Sequence, residues 1–238
     1  MKKISSALLI AAVCLSLGSC RKVIGEGPVV SQTRSTADFS SVELGVPAEM
    51  IFIPSDHNEV VIDAQQNILD LIDTYVSGGE LMIKVRNSVN FRARAGIRIT
   101  IRAASMHGLT INGSGSITVA QPFQPDNLKL RVNGSGNISA NNIIAGQLDV
   151  SINGSGKIEV LGGTVGHEDM SISGSGDIDL MGIEAESAAT QTSGSGTTRV
   201  FVHQNLDVHI SGSGNVYYKG SPTVNTHISG SGNVVKLD

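Results

Sequence analysis

The triplet Gly-Ser-Gly occurs seven times in this chain, beginning at Gly113, Gly134, Gly154, Gly174, Gly194, Gly212 and Gly230. Subtracting successive positions gives spacings of 21, 20, 20, 20, 18 and 18. A sustained period near 20 is the signature of a solenoid, in which each repeat forms one coil and stacks on the one before it. This confines residues 106–238 to a stacked architecture. It also turns the functional expectation away from one deep catalytic pocket and towards an extended surface.

Gly-Ser runs also make flexible linkers, but the flanks of these triplets exclude that reading. Leu148, Val150 and Ile152 alternate with polar residues before Asn153-Gly154-Ser155-Gly156, and Ile158 and Val160 follow. The same alternation precedes Asn133, Ser173 and Ser211. Apolar residues at every second position mark a half-buried strand. A linker has no reason to carry aliphatics at matched offsets on both sides. The triplet glycines therefore read as structural corners, where a residue without Cβ reaches φ > 0 and lets backbones approach. A coil of this length has room for about three short strands with bends between them, stacked roughly 4.8 Å apart, so that the seven corners span roughly 29 Å. Equal offsets place Asn112, Asn133 and Asn153 in one ladder, continued by Ser173, Ser193, Ser211 and Ser229. The coil around Gly194 matches least well: Ala188-Ala189-Thr190-Gln191-Thr192 reads as a looser turn of the stack. Aromatic residues make up only 3% of the chain and Trp is absent, so the core must be built from Ile, Val and Leu.

The N-terminus reads as a targeting segment. Lys2 and Lys3 precede an apolar run from Ala7 to Leu17, too short for an ordinary membrane span, and the run ends in Leu17-Gly18-Ser19-Cys20. Residues 1–19 resemble a bacterial lipoprotein signal peptide, with Cys20 as the acylated first residue. Of the two cysteines, Cys14 lies in the segment to be removed, so no disulfide and no thiolate metal site is expected. Loss of the leader takes Lys+Arg from 17 to 15 against 21 Asp+Glu, a formal charge of −6. Such a chain is not expected to bind nucleic acid. Its expected attachment to the membrane is through the N-terminal lipid, and residues 20–37 read as the tether.

Residues 38–105 are strand-rich but carry no triplet. Val42, Leu44 and Val46 alternate, and so do Ile97, Ile99 and Ile101. Thr74–Val76 and Leu81–Val85 flank Ser77-Gly78-Gly79-Glu80, a hairpin signal. Asn67–Asp73 reads as a short helical turn. The segment is expected either to add irregular coils or to cap the end of the stack, whose unpaired edge needs covering.

The run Gly25-Glu26-Gly27-Pro28-Val29-Val30, followed by Arg34, Phe39 and Val42-Glu43-Leu44, resembles the start of a family of Bacteroidetes-type envelope proteins. Asn67-Ile68-Leu69, Gly79-Glu80-Leu81-Met82-Ile83 and the series begun by Ile111-Asn112-Gly113-Ser114-Gly115 extend the resemblance over residues 25–235. The family is the putative auto-transporter adhesin, head GIN domain. The resemblance implies an all-β, right-handed parallel β-helix-like solenoid and a lipid-anchored envelope location, the outer membrane being the expected one. It carries no established catalytic or binding residues.

Candidate chemistry is sparse, and neither a metal nor another cofactor is expected. His167-Glu168-Asp169 reads as a polar cluster in a solvated Gly-rich loop. His209 and His227 hold the same place in successive repeats and should stack on neighbouring coils as a surface ladder. Gly174-Ser175-Gly176-Asp177-Ile178-Asp179 lacks the nine-residue period and the repeated Asp of a calcium-binding β-roll. Arg92, Arg94, Arg98 and Arg102 share one parity, opposite to Ile97, Ile99 and Ile101, and read as a basic stripe on one strand face: a charged solvent face that keeps strands from associating, or a binding face for anionic lipid or an acidic glycan. Of Tyr217-Tyr218, one ring must face outward. The rival class is a polysaccharide lyase or hydrolase on a β-helix, which would gather acids and bases on one face. In residues 103–238 the 11 acids and six Lys or Arg fall at scattered coil offsets. The sequence thus points to a non-enzymatic envelope lipoprotein that presents a long surface to a glycan or an envelope protein.

Overall fold

The computed structural model describes residues 22–86 and 89–238. The leader and Cys20 lie outside them.

The repeats form stacked coils in strict register. β10 (Gly108–Gly113) and β11 (Ser116–Val119) make one coil, and β12 (Asn127–Gly134) and β13 (Asn137–Ala140) the next. β14 (Ile143–Gly154), β15 (Lys157–Val160), β16 (Gly163–Gly174), β17 (Asp177–Gly194), β18 (Thr197–Gly212), β19 (Asn215–Gly220), β20 (Thr223–Gly230) and β21 (Asn233–Lys236) continue the stack. All these neighbours pair in parallel, with Gly134, Gly154, Gly174, Gly194, Gly212 and Gly230 each one coil beyond the previous triplet glycine. Each coil has a long side ending at the triplet, represented by residues 147–154, and a short side after it, represented by Lys157–Val160. In the middle coils a third side, represented by Ile143–Ala145 paired with Gly163–Val165, closes the turn.

The corners explain the glycines. Gly154 has φ +131° and its counterparts lie between +125° and +131°, a region L-residues avoid. The amide of Ser155 donates to the carbonyl of Gly134 at 2.9 Å, and the amides of Ser175 and Ser195 donate likewise to Gly154 and Gly174. A Cβ on Gly154 would run into that same Gly134 carbonyl oxygen. The third residue of the triplet faces inward: a Cβ on Gly156 would meet the Gly136 carbonyl and the Val132 side chain. The asparagine ladder forms as read, with the Asn133 amide donating to Asn112 Oδ1 at 2.8 Å and that of Asn153 to Asn133 Oδ1 at 3.0 Å.

The coil around Gly194 is not looser, contrary to the sequence reading. Its backbone holds register from Ser187 to Gly194 against both neighbours. What differs is the filling, because Thr190, Thr192 and Thr198 replace aliphatics in the buried interior. The shortening of the last two repeats occurs at the far bend. Leu180 and Glu184 pair with the adjacent Val200 and Phe201, so the next coil omits the three residues between. One residue is regained between Ala185 and Ser187, which face Val202 and Asn205.

Residues 38–105 are both coils and cap. β3 (Ser41–Gly45) and β4 (Glu49–Pro54) pair in parallel with β10 and β11 and so extend the stack. β7 (Glu80–Val85) and β9 (Arg98–Ala103) stack in parallel beyond them. Antiparallel strands then close that end. β6 (Ile72–Ser77) pairs with β7 across the Gly78-Gly79 turn, where both φ angles are positive as a tight hairpin of this kind requires. β5 (Glu59–Gln65) pairs with β9. The short helix α1 (Gln66–Leu69) buries Ile68 and Leu69 over the open coil.

The expected tether is ordered from Lys22 onward. β2 (Val29–Arg34) adds antiparallel to β5, and β1 (Val23–Ile24) pairs with β8 (Phe91–Arg92). Side chains fasten this segment to the cap. Asn67 donates to the Ile24 carbonyl at 2.7 Å, Gln65 to that of Gly27 at 2.9 Å, and Arg34 to that of Leu69 at 3.0 Å. Of the segment's own polar side chains, Arg34 makes one of these bonds, while Ser31, Gln32 and Thr33 are exposed on β2.

Candidate binding surface

The arginine stripe does not form one face. Arg98 and Arg102 lie on β9, but Arg92 is on β8, and a turn at Arg94-Ala95 with Gly96 at φ +76° separates the two strands. Alternation of side chains holds only within one continuous strand, so the shared parity does not carry across the turn. The two arginines on β9 have acids for neighbours. Arg102 bonds to Glu59, both side chains about one-third exposed, and Arg98 lies 3.9 Å from Glu49. A depression of about 590 Å³ beside Arg98 is lined by both Glu49 and Asp63. Arg86 is held by Asp73 through two nitrogens, at 2.7 and 2.9 Å. Arg86, Arg98 and Arg102 thus stand beside acids, while Arg92 and Arg94 are exposed on either side of the start of the turn.

His167-Glu168-Asp169 is also not a loop. It lies in β16, where alternation sends its members to opposite sides. His167 points out and bonds to Ser187 Oγ at 2.8 Å. Asp169 is exposed. Glu168 points into the coil, is 0% exposed, and neither carboxyl oxygen has a hydrogen-bond partner. Burial pushes its carboxyl well above the ordinary value near 4.5. The clue was positional: Glu168 falls in the inward column Leu128, Leu148, Glu168, Ala188, Leu206. Around it the core is otherwise aliphatic, apart from the three threonines of the next coil.

The outward surface of the long side is where polar side chains accumulate in columns. One is the Asn112-to-Ser229 ladder. A second runs Thr110, Arg131, Ser151, Ser171, Gln191, His209, His227. The two histidines stack as expected, with ring centroids 5.9 Å apart. Three depressions follow one another along this side. The first, about 540 Å³, surrounds Gly108, Lys129 and Arg131; the second, about 320 Å³, is bounded by Arg131, Asp149, Ser151 and Asp169; the third, about 250 Å³, by Gln191, His209 and His227. Among the described residues, no three His, Cys, Asp or Glu side chains come together as a metal ion would require. Tyr217 lies under the Arg199 guanidinium at 5.5 Å, while Tyr218 packs against the core.

Comparison with known proteins agrees with this architecture. Residues 38–222 match the family described as putative auto-transporter adhesin, head GIN domain. The chain belongs to that family. Among solved structures, a putative adhesin from Bacteroides fragilis superposes with a TM-score of 0.86 at 22% identity, covering 90% of this chain and 100% of its own. A putative lipid binding protein from Parabacteroides distasonis gives 0.76 at 27% identity, covering 92% and 100%. A putative adhesin from Parabacteroides merdae gives 0.73 at 20% identity, covering 91% and 99%. No curated protein matches the chain. The head GIN fold in this member is thus a parallel solenoid with an antiparallel cap, and the family description points to the cell envelope or surface. Among the described residues no helix is long and apolar enough to cross a membrane.

Proposed function

We propose that this head GIN protein is a non-enzymatic envelope lipoprotein, anchored in the outer membrane through Cys20, whose long side binds an extended glycan or protein. One observation carries the reading. The three depressions of the long side lie in sequence from Gly108 to His227, lined by mostly polar side chains from matched positions on successive coils. A row of shallow sites makes several weak contacts with one extended partner, so affinity grows with ligand length and valency. The family's description as an adhesin and the envelope-type leader support the same reading. The paired arginines around Arg98 and Arg102 do not enter it.

A panel of envelope polysaccharides, graded by length and titrated into the mature protein, tests this. Binding that strengthens with length and leaves the polymer intact supports it. Release of reducing ends, or of unsaturated sugars absorbing in the ultraviolet, would assign the protein to the lyase or hydrolase class instead. Protease shaving of intact cells separates display at the surface from a periplasmic position.

A further inference from the structure

We propose that the depression around Gly108 is an anion site that takes the carboxylate of a single acidic sugar flanked by neutral ones. This deepens the proposed function, since it rests on the long side being the binding surface.

The site is made by a missing side chain. One outward column of the long side runs Glu80, Ser41, Gly108, Lys129, Asp149, Asp169. A Cβ on Gly108 would stand 3.0 Å from Ser41 Oγ and meet no other residue within 4 Å, so the column is left with a hollow open on the Lys129 side. The adjacent column supplies Glu43, Thr110 and Arg131 at the same levels. His107 and Asn127 complete the lining of the 540 Å³ depression, and Glu80 is its one carboxylate, at the edge farthest from Lys129 in the column.

The charge balance favours an anion. Lys129 and Arg131 are both exposed on β12 and project on the same side two residues apart. Lys129 has Asp149 at 3.8 Å, a loose contact, and Arg131 has no ion-pair partner among the described residues. The acid one level below Thr110, Glu43, is occupied by Lys84 at 2.9 Å. A carboxylate in the hollow would thus meet two cations and the hydroxyls of Ser41 and Thr110, the charge-assisted bonds that bind most strongly.

The surroundings set the spacing of the ligand's charges. Arg131 also walls the second depression, where Asp149 and Asp169 follow. Asp169 lies two coil steps beyond Lys129, roughly 10 Å along the stack. A second anion there would face like charge, which excludes partners as effectively as attraction selects them. The surface therefore selects a sparsely charged chain over a uniformly anionic polymer or a dense anionic membrane.

The test uses a gellan oligosaccharide, whose glucuronates are separated by neutral sugars, with its carboxyl-reduced form, polygalacturonate of equal length and anionic vesicles for comparison. Calorimetric titration of the mature protein should show the gellan fragment binding about tenfold or more tighter than its carboxyl-reduced form, and tighter than polygalacturonate. The Lys129→Ser, Arg131→Ser double variant should lose that advantage while binding the reduced form as the parent does. Gly108→Asp, which puts a carboxylate into the hollow beside Ser41 Oγ, should do the same. Melting temperatures are recorded for each variant. Equal affinity for native and reduced fragments would overturn the anion site while leaving the extended-surface reading in place. The site would also be overturned by a double variant that binds gellan like the parent, by failure of both fragments to bind, or by tighter binding of vesicles.

Discussion

Replacing Glu168 with leucine should make this protein more stable, and more so as the pH rises. The side chain sits in an inward column between Leu148 and Ala188, fully buried, with both carboxyl oxygens unpartnered. Even in its neutral form a buried carboxyl without partners costs about 1–3 kcal/mol in lost hydration. Leucine is native to the same column at 128, 148 and 206, and Ala188 on the next coil leaves space for its branch. We expect Glu168→Leu to stabilise by roughly 2 kcal/mol at pH 5, or about 4–8 °C in melting temperature for a chain of this size. The pH dependence has a definite sign. Burial raises the folded-state pKa above the unfolded value near 4.5, so the folded protein holds this proton more tightly than the unfolded chain. Below 4.5 both states are protonated and the group adds no slope. Above it, stability falls as pH rises until the folded carboxyl itself ionises, by at most about a factor of ten in the folding equilibrium per pH unit. Glu168→Gln removes that slope while keeping a polar side chain. Urea unfolding of parent, Leu and Gln forms from pH 4 to pH 8, in about half-unit steps, separates the two effects. A Leu variant less stable than the parent, or equal pH slopes for parent and Gln variant, would mean that the buried carboxyl carries no such cost.

Two further outcomes rest on the structure and one on the leader sequence. Gly154→Val should destabilise by about 3 kcal/mol or more, because its φ of +131° and the Gly134 carbonyl both oppose a Cβ; an unchanged thermal melt would contradict the corner geometry. Arg102→Ser should cost no more than about 1 kcal/mol, since its pair with Glu59 is partly solvated, and should leave polyanion binding unaltered in the same titrations that probe Arg131. Cys20→Ala should abolish partition into the detergent phase, and mass spectrometry of the mature N-terminus should find the parent protein diacylated at Cys20.

The repeat was legible because it is written twice, in the glycine corners and in the aliphatics at fixed offsets from them. Both are demanded by one backbone path, so either alone suffices to place the coils. The hairpin at Gly78-Gly79 was legible for the same local reason. Other features depend on contacts between residues far apart in sequence. Val29–Arg34 reads as polar tether until β5, much later in the chain, supplies an edge for it to join at Val60–Gln65. The arginine parity failed because a turn at Arg94-Ala95 resets the alternation. The Glu168 case is different, since the signal was present: counted back from Gly174, it occupies the level of Leu148 before Gly154. Its charge suggested a loop, and register decided for the core. The depression at Gly108 depends on which residues flank a glycine in neighbouring strands, and becomes visible only when β3 is seen to pair with β10.

Binding along the long side is tested most sharply by a length series of gellan and neutral oligosaccharides titrated into the mature protein, with reducing ends counted afterwards. Affinity should climb with chain length until the ligand spans the stacked corners, roughly 29 Å, with no new ends. Affinity already maximal for the shortest fragment, or a rise in reducing ends with time, would contradict that mode of binding.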